Sequence, residues 1–320
     1  MRYDRAAAKQ AAREDFQGIW AAITTPFLAN GGVDEVGLAH DLEYLSGPVR
    51  MDGIFCTGVM GEFWALTAAE RNRIVSLVVQ GCAGRMPVIA HTGHHSARDT
   101  IALTRAAEEV GADYAVIVTP YYPTAPAEGL EAWFTEVLRA VDMGVWLFDT
   151  NYATAPMPLD LVDRLADEEN VCGIKVGHDH AHYLKVLDRV GDRILVCEPN
   201  ESEWLGDVRD HGQRVYMSSS SPFLYQTPQW QPMREYTDLA LSGEYEKAAQ
   251  VSATMDPVRQ LASRWLHGRW HRDRENPVPY IKAWSQVLGM AGGPVRPPLP
   301  QVPAEQIRQL ADELHAVGLV

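Results

Sequence analysis

A chain of 320 residues, 46% of them hydrophobic, is long enough for one barrel-sized domain or two ordinary ones. Its 28 Lys and Arg stand against 42 Asp and Glu, and the resulting charge of −14 is spread along the sequence, which argues against nucleic acid or an anionic membrane surface as a partner. No apolar run approaches the roughly 20 residues that a bilayer-spanning helix needs. The polar start MRYDRAAAKQAARED carries no apolar signal region, and Cys56, Cys82, Cys172 and Cys197 have neither CxxC nor zinc-site spacing, so a cytoplasmic protein with buried free thiols is expected.

Short apolar runs alternate with amphipathic stretches along the chain. IWAAITTPF (19–27) precedes a helix near 35–46. GIFCTG (53–58) precedes a helix at 67–82, opened by Thr67 with Glu70 three residues on as a capping box. PVIAHTG (87–93) leads to a helix near 96–110 capped by Ser96, and YAVIVTP (114–120) to one near 128–140. GVWLFDT (144–150), VCGIKVG (171–177) and ILVCEPN (194–200) lead to helices near 158–167, 180–190 and 201–211. RVYMSSS (214–220) precedes a last helical region.

The strand runs are continuously apolar, as in a parallel sheet buried on both faces. Eight β-then-α units predict an α/β fold, a (β/α)8 TIM barrel. A doubly wound open sheet would call for a glycine-rich phosphate turn after the first strand, and TTPFLANGG is not GxGxxG. After residue 240 the strand pattern stops, and helices are predicted over 243–267, 277–290 and 303–317, the last two joined by the Pro-rich 292–303. The expected organisation is an N-terminal helical extension (1–15), a barrel (16–240) and C-terminal helices packed on it (241–320).

Active-site groups of such barrels come from the C-terminal ends of the strands. Those ends carry Thr24 and Thr25, Gly58 to Glu62, His91 and Thr92, Thr119 to Tyr122, Phe148 to Asn151, Lys175, Glu198 and Asn200, and Ser218 to Ser221. Lys175 is the one lysine among them. A neutral amine there can attack a carbonyl, and the resulting iminium is an electron sink for breaking or making a neighbouring bond. Burial in an apolar barrel mouth lowers the pKa and supplies the neutral form. The ordinary alternative is a lysine paired with a carboxylate or reaching outward.

GVMGEFWALTAAER (58–71), PVIAHTG (87–93), VTPYYPTAPAEGL (118–130), GIK (173–175) and NPVPYIKAWSQVLGMAGGPVRPPLP (276–300) occur in this order, on these strand ends. Together they resemble the dihydrodipicolinate synthase/N-acetylneuraminate lyase family of class I aldolases and dehydratases, over about residues 16–318. The resemblance implies a barrel with extra C-terminal helices, a homotetramer built as a dimer of dimers, and Schiff-base chemistry on a small 2-oxo acid without a cofactor. Lys175 matches the family's imine-forming lysine. Tyr122 matches a tyrosine that reaches across a subunit interface in a proton relay, or simply packs that interface. The turn Gly58–Val59–Met60–Gly61 offers backbone N–H groups to a substrate carboxylate. Val59 and Met60 replace residues that are usually hydroxylated in the family. Glu62 is expected to hold backbone donors rather than act as an acid.

The fifth strand departs from the pattern. Where the family commonly has Tyr-Asn, this chain has Phe148 and Asp149, and the following TNYATA contains no arginine. Phenylalanine cannot transfer a proton, and both losses argue against dihydrodipicolinate synthase proper. His91, Asp149 or Tyr122 is then the expected proton carrier. Thr25, Phe148, Glu198 and Ser218 complete the expected substrate pocket, and Trp64, Trp146 and Trp204 would make it large and apolar, if they are not core. No metal is expected. His91, His178, His180 and Glu198 define the rival, a metal-assisted hydrolase or aldolase, while the His178–His180 segment reads more simply as the start of a helix capped by Asp179. A ligand-binding relative without catalysis is the other alternative.

Overall fold

The computed structural model describes residues 2–152, 155–217 and 220–320. Eight strands, β1 (Gly18–Ala22), β2 (Gly53–Cys56), β3 (Val88–His91), β4 (Tyr114–Val118), β5 (Gly144–Thr150), β6 (Val171–Gly177), β7 (Leu195–Cys197) and β8 (Val215–Met217), form one parallel sheet. The hydrogen-bonded order is β7-β6-β5-β4-β3-β2-β1-β8, and β7 meets β8 at the seam. This is the predicted TIM barrel, with the run of buried residues on each strand explained by a packed interior on one side and helices on the other. The register sets the neighbours of the strand-end lysine: Phe148 on β5 lies beside Lys175 on β6, and Lys175 beside Cys197 on β7.

The helices open where the sequence places caps. After α1 (Ala8–Asp15) come α2 (Glu35–Ser46), with Asp34 accepting from the Gly37 N–H, and α3 (Ala68–Cys82), with the full Thr67–Glu70 capping box. α4 (Ala97–Glu109) is capped by Ser96 and followed by α5 (Ala127–Arg139) and α6 (Leu159–Ala166). α7 (His180–Val190) is capped by Asp179 and α8 (Glu201–His211) by Asn200.

The N-terminal extension closes the floor of the barrel. Ala8, Ala12 and Phe16 are fully buried, and the Phe16 ring meets Trp20, Tyr114 and Trp146 at centroid distances of 4.2, 4.9 and 4.5 Å. Gly53 and Gly173 leave the space these indoles need, since a Cβ would fall 2.4 Å from Trp20 and 2.8 Å from Trp146. Phe16→Ala is expected to destabilise the fold by about 3–5 kcal/mol, read as a shifted urea midpoint. A loss under about 1 kcal/mol would mean that the plug adds nothing.

Beyond the barrel lie α9 (Ser221–Leu224), α10 (Pro232–Leu241), α11 (Tyr245–Ala253), α12 (Asp256–Trp265), α13 (His267–Asp273), α14 (Val278–Val287) and α15 (Ala304–Ala316). The single helix predicted over 243–267 is therefore broken. Pro257 sits in the first turn of α12, where its missing N–H costs nothing, and it cannot continue α11. The tail is tied to the barrel by charge: Arg259 donates to both oxygens of Glu201, and Arg296 to both oxygens of Glu70. The four cysteines are buried and unpaired, and burial pushes each thiol up to about 12.

Candidate active site

β6 carries Lys175 to the barrel mouth, where its side chain is 4% exposed and lines a cavity of about 490 Å³. Its Nζ lies 5.0 Å from the centres of both the Phe55 and Phe148 rings. Two aromatic faces favour a cation modestly, but loss of hydration costs more, and burial lowers the amine to about 8. About one amine in ten is then neutral at pH 7, against roughly one in 3,000 at the ordinary value.

The turn after β2 faces the same cavity through Gly58, Val59 and Met60. Its own hydrogen bonds use the N–H groups of Gly61, Glu62 and Phe63. Among the described residues the N–H groups of Gly58, Val59 and Met60 have no protein acceptor, and those of Val59 and Met60, inside the turn, are donors available to an anion. Thr57 and Glu62, on either side, have φ of 52° and 55°, an uncommon conformation that for β-branched Thr57 costs about 1–3 kcal/mol. The surroundings hold it: the Thr57 hydroxyl donates to the His91 carbonyl at 3.0 Å. Glu62 is fully buried, accepting from Lys282 Nζ at 2.8 Å and from the Arg296 N–H at 2.9 Å. It is thus a structural anion, and Lys282 is a second buried lysine that the sequence did not single out.

Thr25 and Gly61 are not on the cavity wall. The Thr25 hydroxyl donates to the Gly61 carbonyl at 2.9 Å and so positions the turn. Phe148 and Glu198 do line the cavity. Ser218 lies outside the described residues. Trp146 and Trp204 are fully buried core residues, and Trp64 does not reach the cavity. The indole there is Trp270, which with Arg259, Ser263, His267 and His271 forms an outer wall from α12 and α13. No sequence pattern flagged that wall, because it depends on how the tail folds back.

The three expected proton carriers sit elsewhere. His91 is buried beneath the mouth: Arg71 donates to its carbonyl at 2.6 Å, and its Nδ1 lies 3.2 Å from the Thr57 carbonyl. Burial first and then Arg71 hold its imidazole well below the usual pKa, hence neutral. Tyr122 is 75% exposed. Asp149 is fully buried behind the cavity wall, with its carboxylate accepting from His178 Nε2 at 2.9 Å, His182 Nε2 at 2.8 Å and the Met157 N–H at 3.2 and 3.1 Å. Burial pushes Asp149 upward, but the two histidine bonds outweigh it and the carboxyl ends below its ordinary value. An anionic Asp149 accepts a hydrogen bond from the Nε2–H of each ring, which fixes Nε2 as a protonated nitrogen.

His178 does line the cavity. Sequence alone places it only in a helix start, because its pairing with Asp149 is a contact between neighbouring strand ends. The four residues of the metal alternative do not converge. His91 belongs to the Arg71 cluster and His178 to Asp149, while His180 bonds Glu198 at 2.6 Å. His94 and His95 are exposed.

A nearly closed parallel barrel with an enclosed strand-end lysine is the arrangement of the class I aldolase-type lyases. The chain belongs to the dihydrodipicolinate synthetase family, whose model matches residues 15–317. Among curated relatives, the 4-hydroxy-tetrahydrodipicolinate synthase of Alkalilimnicola ehrlichii is 31% identical over 304 residues, 95% of this chain and 99% of that one. The protein of the same name from Methanosarcina mazei is 28% identical over 95% of this chain and 99% of its own length. Among solved structures, dihydrodipicolinate synthase from Aquifex aeolicus gives a TM-score of 0.82 at 27% identity, covering 95% of this chain and 99% of that one. YagE from Escherichia coli K12, a prophage protein of the family determined in complex with pyruvate, gives 0.81 at 27%, covering 95% and 99%. The relatives thus carry the name of the activity that the fifth strand argues against, and the comparisons do not support excluding it.

Proposed function

We propose that the protein forms a Schiff base between Lys175 and a small 2-oxo acid and then makes or breaks the bond beyond C3, by aldol cleavage or condensation or by dehydration. The observation that carries this reading is the enclosed Lys175, its amine lowered to about 8, facing the two available N–H groups of Val59 and Met60 across one cavity. The amine attacks the carbonyl carbon, the carbonyl oxygen is protonated and leaves as water, and the iminium draws electrons from C3 as C3 loses a proton (condensation or dehydration) or its bond to C4 while the C4 hydroxyl gives up its proton (cleavage); water then hydrolyses the imine. The Val59–Met60 turn holds the substrate carboxylate.

His178 is the side chain best placed to move protons, with its tautomer set by Asp149 and with His182 as the second donor that keeps Asp149 anionic. Phe148 shapes the mouth without exchanging protons. Position 148 is Phe and offers no hydroxyl, and residues 151–156 hold no arginine, which supports an acceptor other than that of the synthases. The family resemblance supports a homotetramer, and the buried free cysteines support a cytoplasmic location. The exposed Tyr122 is the side chain such an assembly would cover.

Sodium borohydride with a panel of 2-oxo acids tests the reading. Reduction should add one substrate mass, on the peptide holding Lys175 and not on that holding Lys282, whose amine is engaged by Glu62. Absence of an adduct with every acid would overturn it. The same panel run with aldehyde acceptors separates synthase chemistry from another lyase activity.

A further inference from the structure

We infer that His180, Asp207 and His211 form a binding site for a divalent transition-metal ion, with zinc the best match, joining α7 to α8 beside the lysine cavity. Asp207 and His211 are four residues apart and so share one face of α8. His180 is the first residue of α7, and one ligand-type atom from each of the three lies within 4.8 Å of the others. Tetrahedral zinc with bonds of about 2.0–2.1 Å sets its ligand atoms about 3.3 Å apart. The remaining gap is within reach of side-chain rotation, because His211 is exposed and His180 is 35% exposed.

What points to a ligand is the polar chemistry left unanswered there. The Asp207 side chain is 1% exposed, and among the described residues no N–H or hydroxyl donates to either carboxylate oxygen, the neighbouring group being the Glu198 carboxyl. A buried carboxylate normally accepts several bonds, and leaving it bare is costly. Its nearest cationic group is His180, at 3.9 Å, and His180 is already engaged by Glu198. Glu198 and Glu203 add negative charge around it. The Tyr183 hydroxyl is likewise buried without a partner, on a ring 5.5 Å from His180 and 6.5 Å from His211. A divalent ion would satisfy Asp207 directly. Glu198, by accepting from His180, would serve as the carboxylate that orients a metal-bound histidine.

The site is separate from the imine chemistry, which needs no metal, although Glu198 also lines the cavity. It differs from the histidine set considered from the sequence, because Asp207 and His211 come from a helix that only folding brings to His180.

The test uses chelator-treated full-length protein at about pH 7.5, titrated with zinc chloride and followed by elemental analysis after desalting and by thermal midpoint. One zinc per chain and a raised midpoint are expected, and cobalt(II) should give the visible bands of a four-coordinate site. His211→Ala and Asp207→Asn should each weaken zinc binding at least about tenfold and remove the thermal shift. His94→Ala and Lys175→Ala should bind as the parent does, which keeps this result independent of the Schiff-base reading. No zinc uptake, or uptake unchanged in both His211→Ala and Asp207→Asn, would overturn the site.

Discussion

Lys175→Met is expected to stop turnover and to stabilise the protein at the same time. Loss of the nucleophile should lower kcat by at least about 10⁴-fold, with no borohydride adduct. The stabilisation follows from linkage. Folding lowers the amine from 10.5 to about 8, so the unfolded chain binds the proton more tightly than the folded one. Below pH 8 both states are protonated and folding carries the full cost of burying the charge, on the order of 3 kcal/mol. Between about 8 and 10.5 the folded amine is neutral and the cost fades. Urea unfolding should therefore show Lys175→Met more stable than the parent near pH 7, with the advantage shrinking toward about pH 10. An equal difference at both pH values would mean that the buried amine is not desolvated. In the parent enzyme, kcat/KM should rise about tenfold per pH unit and level above about 8.

Asp149→Asn separates the proton carrier from the nucleophile. The substitution keeps the packing but removes the anion that sets the His178 tautomer. Turnover should fall about 10²–10⁴-fold while KM changes little, because His178 would act on protons rather than hold the substrate. Imine trapping at long times should still label Lys175, but slowly. Phe148→Tyr in the Asp149→Asn background should recover part of the rate, since the register puts residue 148 beside Lys175. If Asp149→Asn retains full kcat, the histidine relay is only structural.

Particular residues show what was legible in the chain. Continuous apolar runs define buried parallel strands, because a strand covered on both faces cannot alternate, and Thr67, Ser96 and Asp179 mark helix starts because free N–H groups need acceptors there. Lys175 stood out because a single amine at a buried strand end is costly unless used. The helix predicted over 243–267 failed at Pro257, and the outer wall of the cavity was invisible because α12 and α13 reach the mouth only after the tail folds back.

By sequence His91 and Asp149 qualify as proton carriers, because position along a strand gives the end of the barrel but not the direction of the side chain. The structure turns His91 toward Arg71 and puts Asp149 behind His178. Local period and residue type were enough for the barrel, the family and the lysine, since each is written in short stretches of chain. Which groups stand around that lysine, and how Asp207 meets His180, came only with folding, because hydrogen bonding and desolvation depend on side chains brought together from distant parts of the chain.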